Sequence, residues 1–473
     1  MANVEQLKKL RPLGQLEKIS ATCHHLEYFN NVGLTVQYKL SSSSSSFTVS
    51  DLRRLIYAAA GDVIRKHRIL FAIPVNEDSP DCYFVSLPSI DLTRSIRFHR
   101  RSQPSPGADE AEDKELDTLL ENEHNANFKS EYGALPFWRL VILQNASDEK
   151  EFTASFIYHH AIGDGVAGLI FHNAFHAALS AASSSSASKA VEIIVPDEDS
   201  LILPPLEELH PLPVNPTPPS PPTVKLEEWT GNSVAAPLKS RWQSLSLPPS
   251  ISKAFFQECK TKNLSVTSGL SSVIATALFA ILSPTTEALT CIIPVNLRPW
   301  LKLPREDANG AIGSYFDATR VQFTRPEKDL QDHSAADAWH GAQQASKATK
   351  EYLQNVSPSG EPYTTVAIFK AIPDISAIFP SMLGKPRDAA LEVTNVGLFS
   401  SASPETEAAP VWQVGKVLLS RSSLLAGAAV TVSVVTGGNG SMTLGFTWQE
   451  GIVEDDVIDK VCQGVQQYFG RYK

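Results

Sequence analysis

The sequence predicts an α/β fold in two halves, and three observations carry that reading. Strand-like and helix-like segments alternate along the chain, the order in the second half repeats the first in outline, and a Ser/Pro-rich tract separates them. At 473 residues the chain is long for a single hydrophobic core, which agrees with two domains or one large fold with two halves. The expected division is 1–180 for a first lobe, 181–225 for a linker or crossover and 226–473 for a second lobe.

In the first half, Val32 to Tyr38 is an extended apolar segment and Val49 to Lys66 is helical. The serine run Ser41 to Ser46 reads as the solvated tip of a hairpin between Val36 and Val49. Strands are expected near Ile69 to Ile73 and Cys82 to Leu87, and the charged segment Glu115 to Asn127 reads as a helix. Phe137 to Gln144 and Phe152 to His159 form two apolar strands, with Asn145 to Lys150 as their turn.

The tract that follows opens with Ser183 to Ser186. It continues through Pro204, Pro205, Pro211, Pro213, Pro216, Pro218, Pro219, Pro221 and Pro222. So many fixed φ angles and missing donors suit no helix or inner strand, so a semi-rigid spacer is expected; the P-x-x-P spacing leaves open a ligand for a proline-binding module. Beyond it come a strand at Trp242 to Leu247, helices at Ile251 to Lys262 and Ser268 to Leu282, and a strand at Leu289 to Asn296. The tail closes with strands Ala428 to Thr436 and Ser441 to Gln449 around a glycine-rich turn, then the amphipathic helix Glu454 to Tyr468.

Composition removes several function classes. Hydrophobic residues make up 42% and charged residues 19%, the balance of a folded globular protein. A formal net charge of −10 repels a polyphosphate backbone, so nucleic acid is excluded as a partner at the level of the whole chain. The cysteines Cys23, Cys82, Cys259, Cys291 and Cys462 lie far apart with no C-x-x-C pair, which indicates neither a zinc site nor a disulfide framework. Met1 to Gly14 lacks the apolar run of a secretory signal, and no segment has the roughly 18 apolar residues of a spanning helix. A monomer in the cytoplasm, at most peripheral to a membrane, is expected.

The chemistry points to Tyr158-His159-His160-Ala161-Ile162-Gly163-Asp164-Gly165-Val166-Ala167. This loop leaves a buried-looking strand and enters a helix whose apolar positions Val166, Leu169, Ile170, Ala174 and Ala178 recur at helical spacing. An imidazole there suits proton transfer near neutrality. His159 and His160 alternate across the strand, so one faces a site and the other is structural; geometry alone leaves the choice open. Gly163 and Gly165 leave room for a ligand. Asp164 is either an ion-pair partner that shapes the loop or the N-cap of the helix. No G-x-S-x-G elbow, Walker loop, G-x-G-x-x-G fingerprint or H-E-x-x-H helix is present, which sets aside serine hydrolases, nucleotide-binding enzymes and zinc proteases.

His160 and Asp164 in H-x-x-x-D-G after a strand resemble the signature of the chloramphenicol acetyltransferase-like acyltransferase superfamily. More specifically, the chain resembles the fungal alcohol acetyltransferase family. That likeness rests on Arg11-Pro12-Leu13-Gly14, Cys23-His24-His25, Asn30-Asn31-Val32-Gly33 and Ile293-Pro294-Val295-Asn296-Leu297-Arg298-Pro299. It runs from about residue 10 to the end, with the serine and proline tracts as variable insertions.

The resemblance implies two α/β lobes with mixed sheets and an active-site tunnel at their interface. Acyl-CoA would enter from one side and a small-molecule alcohol from the other. It implies His160 as general base and Arg298 as the second-lobe partner of Asp164, with no metal. For substrate or oxyanion contacts the candidates are Thr394, Asn395, Gly163, Gly165, Asn296 and His25. Thr394-Asn395-Val396-Gly397 resembles a Ser/Thr-Asn-x-Gly element of related enzymes, although an ordinary β-turn reads equally well. His24 and His25 are expected to be structural or tunnel-lining. Lys347, Lys350, Lys370, Lys385, Arg387 and Arg421 could supply cations to a phosphate, with a solvated face as the default for each. The expected activity is acetyl transfer from acetyl-CoA, or another acyl-CoA, to a hydroxyl of a lipophilic secondary metabolite. Two other readings remain at this stage: carrier-protein-dependent acyl transfer or condensation on the same fold, and a non-catalytic binding protein.

Overall fold

The computed structural model describes residues 4–29, 31–41, 49–107, 111–145, 150–184, 191–198, 200–217, 225–325, 335–372, 374–399 and 411–473. Asn30, Ser42 to Ser46 and Pro218 to Pro222 lie outside the described residues.

The chain opens with β1 (Lys8–Pro12), α1 (Gln15–His25), β2 (Val32–Leu40) and α2 (Val49–Lys66). Next come β3 (Ala72–Val75), β4 (Tyr83–Ser86), β5 (Ile90–Asp91), α3 (Leu92–Ser95), β6 (Ile96–Arg100) and α4 (Lys114–Asn125). The first half ends with β7 (Trp138–Gln144), β8 (Glu151–Tyr158) and α5 (Gly165–Ser184). Val49 begins a helix and not the return strand of the hairpin expected between Val36 and Val49. Arg68–Phe71 is a single 3-10 turn ahead of β3, which shortens the strand expected near Ile69.

The crossover contributes β9 (Ile193–Ile194) and α6 (Leu206–Leu209). It is a packed connection: β9 pairs with β5, and Leu206 and Leu209 join a small core with Leu16, Leu297, Leu301 and Tyr315. Then follow β10 (Ser240–Leu247), α7 (Pro249–Thr261), α8 (Val266–Ile281), β11 (Ala288–Asn296), α9 (Arg305–Asn309), β12 (Phe316–Thr324) and α10 (Ala335–Gln354). The last elements are β13 (Ala389–Leu398), β14 (Trp412–Arg421), β15 (Ala428–Thr436), β16 (Met442–Gln449) and α11 (Asp455–Phe469).

Two mixed sheets organise these elements. One has five strands in the order β14-β2-β8-β7-β6, the other six in the order β10-β16-β15-β13-β11-β12. Each mixes parallel and antiparallel neighbours: β6 with β7 in the first, and β13 with both β11 and β15 in the second, run parallel. Each sheet packs its helices over its own apolar cluster, so the protein has two main cores.

One strand crosses the expected boundary at 226. β14 comes late in the chain yet pairs antiparallel with β2 in the first sheet, Arg421 opposite Val32 and Trp412 opposite Leu40. A strand that would otherwise be an edge, β2, is thereby covered, and the two halves are tied together by backbone hydrogen bonds.

Candidate active site

β8 is buried along its whole length because it sits inside the five-stranded sheet, with apolar neighbours on both faces. The chain leaves it at His159 and turns through five residues into α5. Alternation then separates the two histidines. His159 is fully buried, and its Nδ1 accepts the Ala161 backbone N–H at 2.9 Å. His160 is half-buried and lines a cavity of about 310 Å³.

That cavity lies along the seam of the two sheets. Its walls come from α1 (Leu16, Ile19, Cys23), β11 (Ile292, Pro294, Asn296) and β13 (Glu392, Thr394, Asn395), with Arg421 at the end of β14. The lining is mostly apolar with a few polar groups, as small-molecule sites generally are. The His160 ring is flanked by Phe29 and Phe316, at centroid separations of 5.5 and 5.4 Å. Its Nδ1 is buried with no hydrogen-bond partner among the described residues, which leaves Nε2 as the nitrogen open to a ligand. The His160 carbonyl accepts the Ser314 hydroxyl at 2.7 Å, which anchors the residue from the second half. Burial first, then the nearby Arg421 charge, pushes the imidazole down to about 4, so the ring is neutral at physiological pH.

Asp164 does not face the reaction space in the way His160 does. Its carboxylate takes the Arg298 guanidinium in a bidentate grip, at 2.8 and 3.0 Å, and also the Tyr315 N–H at 3.0 Å. The same carboxylate accepts the N–H groups of Val166 and Ala167 at 3.1 and 3.2 Å. Both roles weighed from sequence therefore coexist: Asp164 caps α5 and pairs with an arginine across the seam. Arg298, on a 3-10 turn after β11, is buried and completes its set of acceptors with the carbonyls of Ala311 and Gly313. Asn296 accepts from the Arg298 backbone and side chain at 3.1 and 3.2 Å, so it braces the arginine while bordering the cavity.

The remaining candidates divide. Gly165 borders the cavity; Gly163 does not, and its lack of a side chain serves packing, since a Cβ would stand 2.6 Å from that of Ala167. Thr394 and Asn395 line the cavity from within β13, where they pair with Ser433 and Val434, and so belong to a strand and not to a β-turn. The Thr394 hydroxyl donates to Glu392 at 2.9 Å, and the Asn395 amide donates to Thr267 at 3.1 Å.

His25 is a correction. It is exposed at the C-terminal end of α1 and away from the cavity, because the helix points Cys23 inward instead. His24 is not tunnel-lining either: it is buried in a cluster with Glu77 and His159. These three have metal-ligand spacing, but the hydrogen bonds fix them otherwise. His24 Nε2 accepts the Phe128 N–H at 3.0 Å, so Nδ1 carries the proton and donates it to Glu77 at 3.0 Å. His159 Nε2 lies 3.4 Å from the same carboxylate. Glu77 is held down at about 2, despite its burial, by these two imidazoles. Through His159 the cluster supports the loop that carries His160.

Arg387 and Arg421 also depart from the solvated default. Both are buried, whereas Lys347, Lys350, Lys370 and Lys385 are exposed. Arg421 pairs with Glu392 at 2.6 Å inside the cavity wall. Sequence reasoning missed Glu392, although a signal was there: it is a lone carboxylate within the apolar run Ala389 to Val393. Among the described residues no single helix is long and apolar enough to cross a membrane.

Comparison with known proteins places the chain in a family. A sequence model of the alcohol acetyltransferase family matches residues 108–215. The chain is 60% identical over 462 residues to "Probable alcohol acetyltransferase crmB" of Aspergillus fumigatus, covering 97% of this chain and 99% of that protein. It is 22% identical to "Probable alcohol acetyltransferase FCK4" of Fusarium pseudograminearum, over 97% of this chain and 94% of that one. Among solved structures it resembles the TRI3 trichothecene 15-O-acetyltransferase of Fusarium sporotrichioides. The TM-score is 0.71 at 12% identity, covering 98% of this chain and 94% of that one, a likeness of fold. With near-complete coverage at high identity, the chain belongs to the alcohol acetyltransferase family.

Proposed function

We propose that this protein is an acyl-CoA-dependent O-acetyltransferase that acetylates a hydroxyl on a small, largely lipophilic molecule, with His160 as general base. The carrying observation is a neutral imidazole at the wall of an apolar cavity, locked to the second half by Ser314 and by the Asp164–Arg298 pair. A free hydroxyl is a poor nucleophile at neutral pH, so a base must take its proton during attack. His160 Nε2 accepts that proton as the alcohol oxygen bonds to the thioester carbonyl carbon. The resulting tetrahedral oxyanion needs a preorganised donor. Asn395 suits that task better than Thr394, because its amide keeps a second N–H while the Thr394 hydroxyl proton is committed to Glu392. Collapse breaks the carbon–sulfur bond, and the imidazolium returns the proton to the departing thiolate.

Asp164 and Arg298 act by position. Their five-acceptor network holds the loop and the two halves in register, and neither is asked to move a proton. The test is to incubate the purified protein with acetyl-CoA and a panel of alcohols while following thiol release. Acceptor-dependent release of CoA is expected; a folded protein that releases none with any donor or acceptor would sink the proposal.

A further inference from the structure

The cavity lining includes a buried ion pair that the acyl-transfer mechanism does not use. Glu392 and Arg421 are 7% and 9% exposed, and the surface they keep faces the cavity. Glu392 Oε1 takes both Arg421 Nη1, at 2.6 Å, and the Thr394 hydroxyl, at 2.9 Å. Glu392 Oε2 and Arg421 Nη2 make no hydrogen bond among the described residues, and Arg421 Nε is buried with no partner. On β15, beside Thr394 in register, the buried Ser433 hydroxyl also borders the cavity and has no hydrogen-bond partner among the described residues.

Burying two charges is costly, and well-packed apolar residues of similar volume are often as stable. An ion pair kept in a cavity wall with one acceptor and one donor edge unspent is therefore suited to a ligand. The pair carries no net charge, so it suits an uncharged group that both donates and accepts. A hydroxyl is the smallest such group. Glu392, Arg421 and His160 line the same cavity, and Phe29 bridges them, its ring 5.5 Å from the His160 ring and 5.3 Å from the Arg421 guanidinium carbon, which puts the pair beside the reacting position.

We infer that Glu392 and Arg421 recognise a second hydroxyl next to the one that reacts, so that the acceptor is a diol or polyol and not a monofunctional alcohol. Glu392 Oε2 accepts the proton of that neighbouring hydroxyl, and Arg421 donates to its oxygen. The inference rests on the acyl transfer proposed at His160, and the test separates the two.

The measurement is kcat/KM for hexane-1,2-diol against hexan-1-ol, with acetyl-CoA as donor, alongside calorimetric binding of each probe to the protein. The intact protein should favour the diol about ten- to hundredfold, the range that follows from leaving one buried donor or acceptor unmatched. Glu392→Leu combined with Arg421→Met removes both charges together and should bring the ratio close to one. Arg421→Lys keeps the charge but loses the forked edge and should lower the ratio as well, which preserves the test should the double variant not fold. A ratio near one in the intact protein, or a preference unchanged in the variants, overturns the inference. Diol-selective binding that disappears in the variants, without any CoA release, would support the dyad while sinking the transferase proposal.

Discussion

At the scale of single residues, the site separates a group that reacts from groups that position it. His160→Ala should lower acetyl transfer about 10²- to 10⁴-fold while leaving the melting temperature nearly unchanged, because the ring lines a cavity and fills no core. Parallel rate and melting measurements check this. Because burial holds the imidazole at about 4, kcat/KM should stay level as pH falls through 6.5 and decline only on approach to that lower value. An acid limb at the ordinary histidine value would contradict the environment described. Asp164→Asn should behave in the opposite way. It strands the buried Arg298 guanidinium, which should cost about 3–5 kcal/mol in urea unfolding. A variant with wild-type stability and wild-type rate would show that the pair does not position the loop.

At the scale of elements, the turn from β8 into α5 works because it is tightly packed. A methyl group at Gly163 would stand 2.6 Å from the Ala167 Cβ and 3.1 Å from the Tyr158 ring. Gly163→Ala should therefore cost about 1–3 kcal/mol by overpacking, read as a lowered urea midpoint, and should slow turnover as the loop shifts. Most elements were legible from the period of their apolar residues: α2, α4, α7, α8, α11 and the central strands fall within a residue or two of expectation. Two kinds were not. α1 mixes small, polar and apolar residues, and its start is marked by Glu17 accepting the Gly14 N–H at 2.7 Å; α10 buries a stripe made mainly of alanines, Ala338, Ala342 and Ala345 with Trp339, which gives a weak apolar signal. β13 and β14 were passed over because Glu392 breaks the apolar run of the first, and Gly415 and Lys416 that of the second.

At the scale of the whole molecule, stability should depend on pH through several histidines at once. His67, His159 and His160 are each pushed down to about 4 by burial. Below the unfolded value of 6.5, the unfolded chain binds protons that the fold refuses, so the stability present above pH 6.5 is lost as pH falls toward 4. Asp117, pushed up to about 6 by burial, works in the opposite sense and offsets only part of this. A urea midpoint that falls steadily from pH 6.5 to pH 4 is the expected result. β14 gives a second whole-molecule expectation. A fragment comprising residues 1–225 lacks the strand that covers β2, so it should aggregate when expressed alone; a soluble, cooperatively melting fragment would contradict the topology.

By itself the sequence determined the α/β class, the two-part organisation and the motif loop with His160 and Asp164. These follow from apolar period and from residue order, both of which are local properties of a chain. Resemblance supplied Arg298 as the partner, 134 positions away, which no spacing rule reaches. Resemblance also chose His160 over His159; only the tertiary structure decided that His25 stands outside the cavity and that β14 returns to the first sheet. It alone brought Glu392 and Arg421 together. Those outcomes depend on which faces of separate elements meet, and burial, ion pairing and strand order across a seam are fixed by packing between segments far apart in the chain.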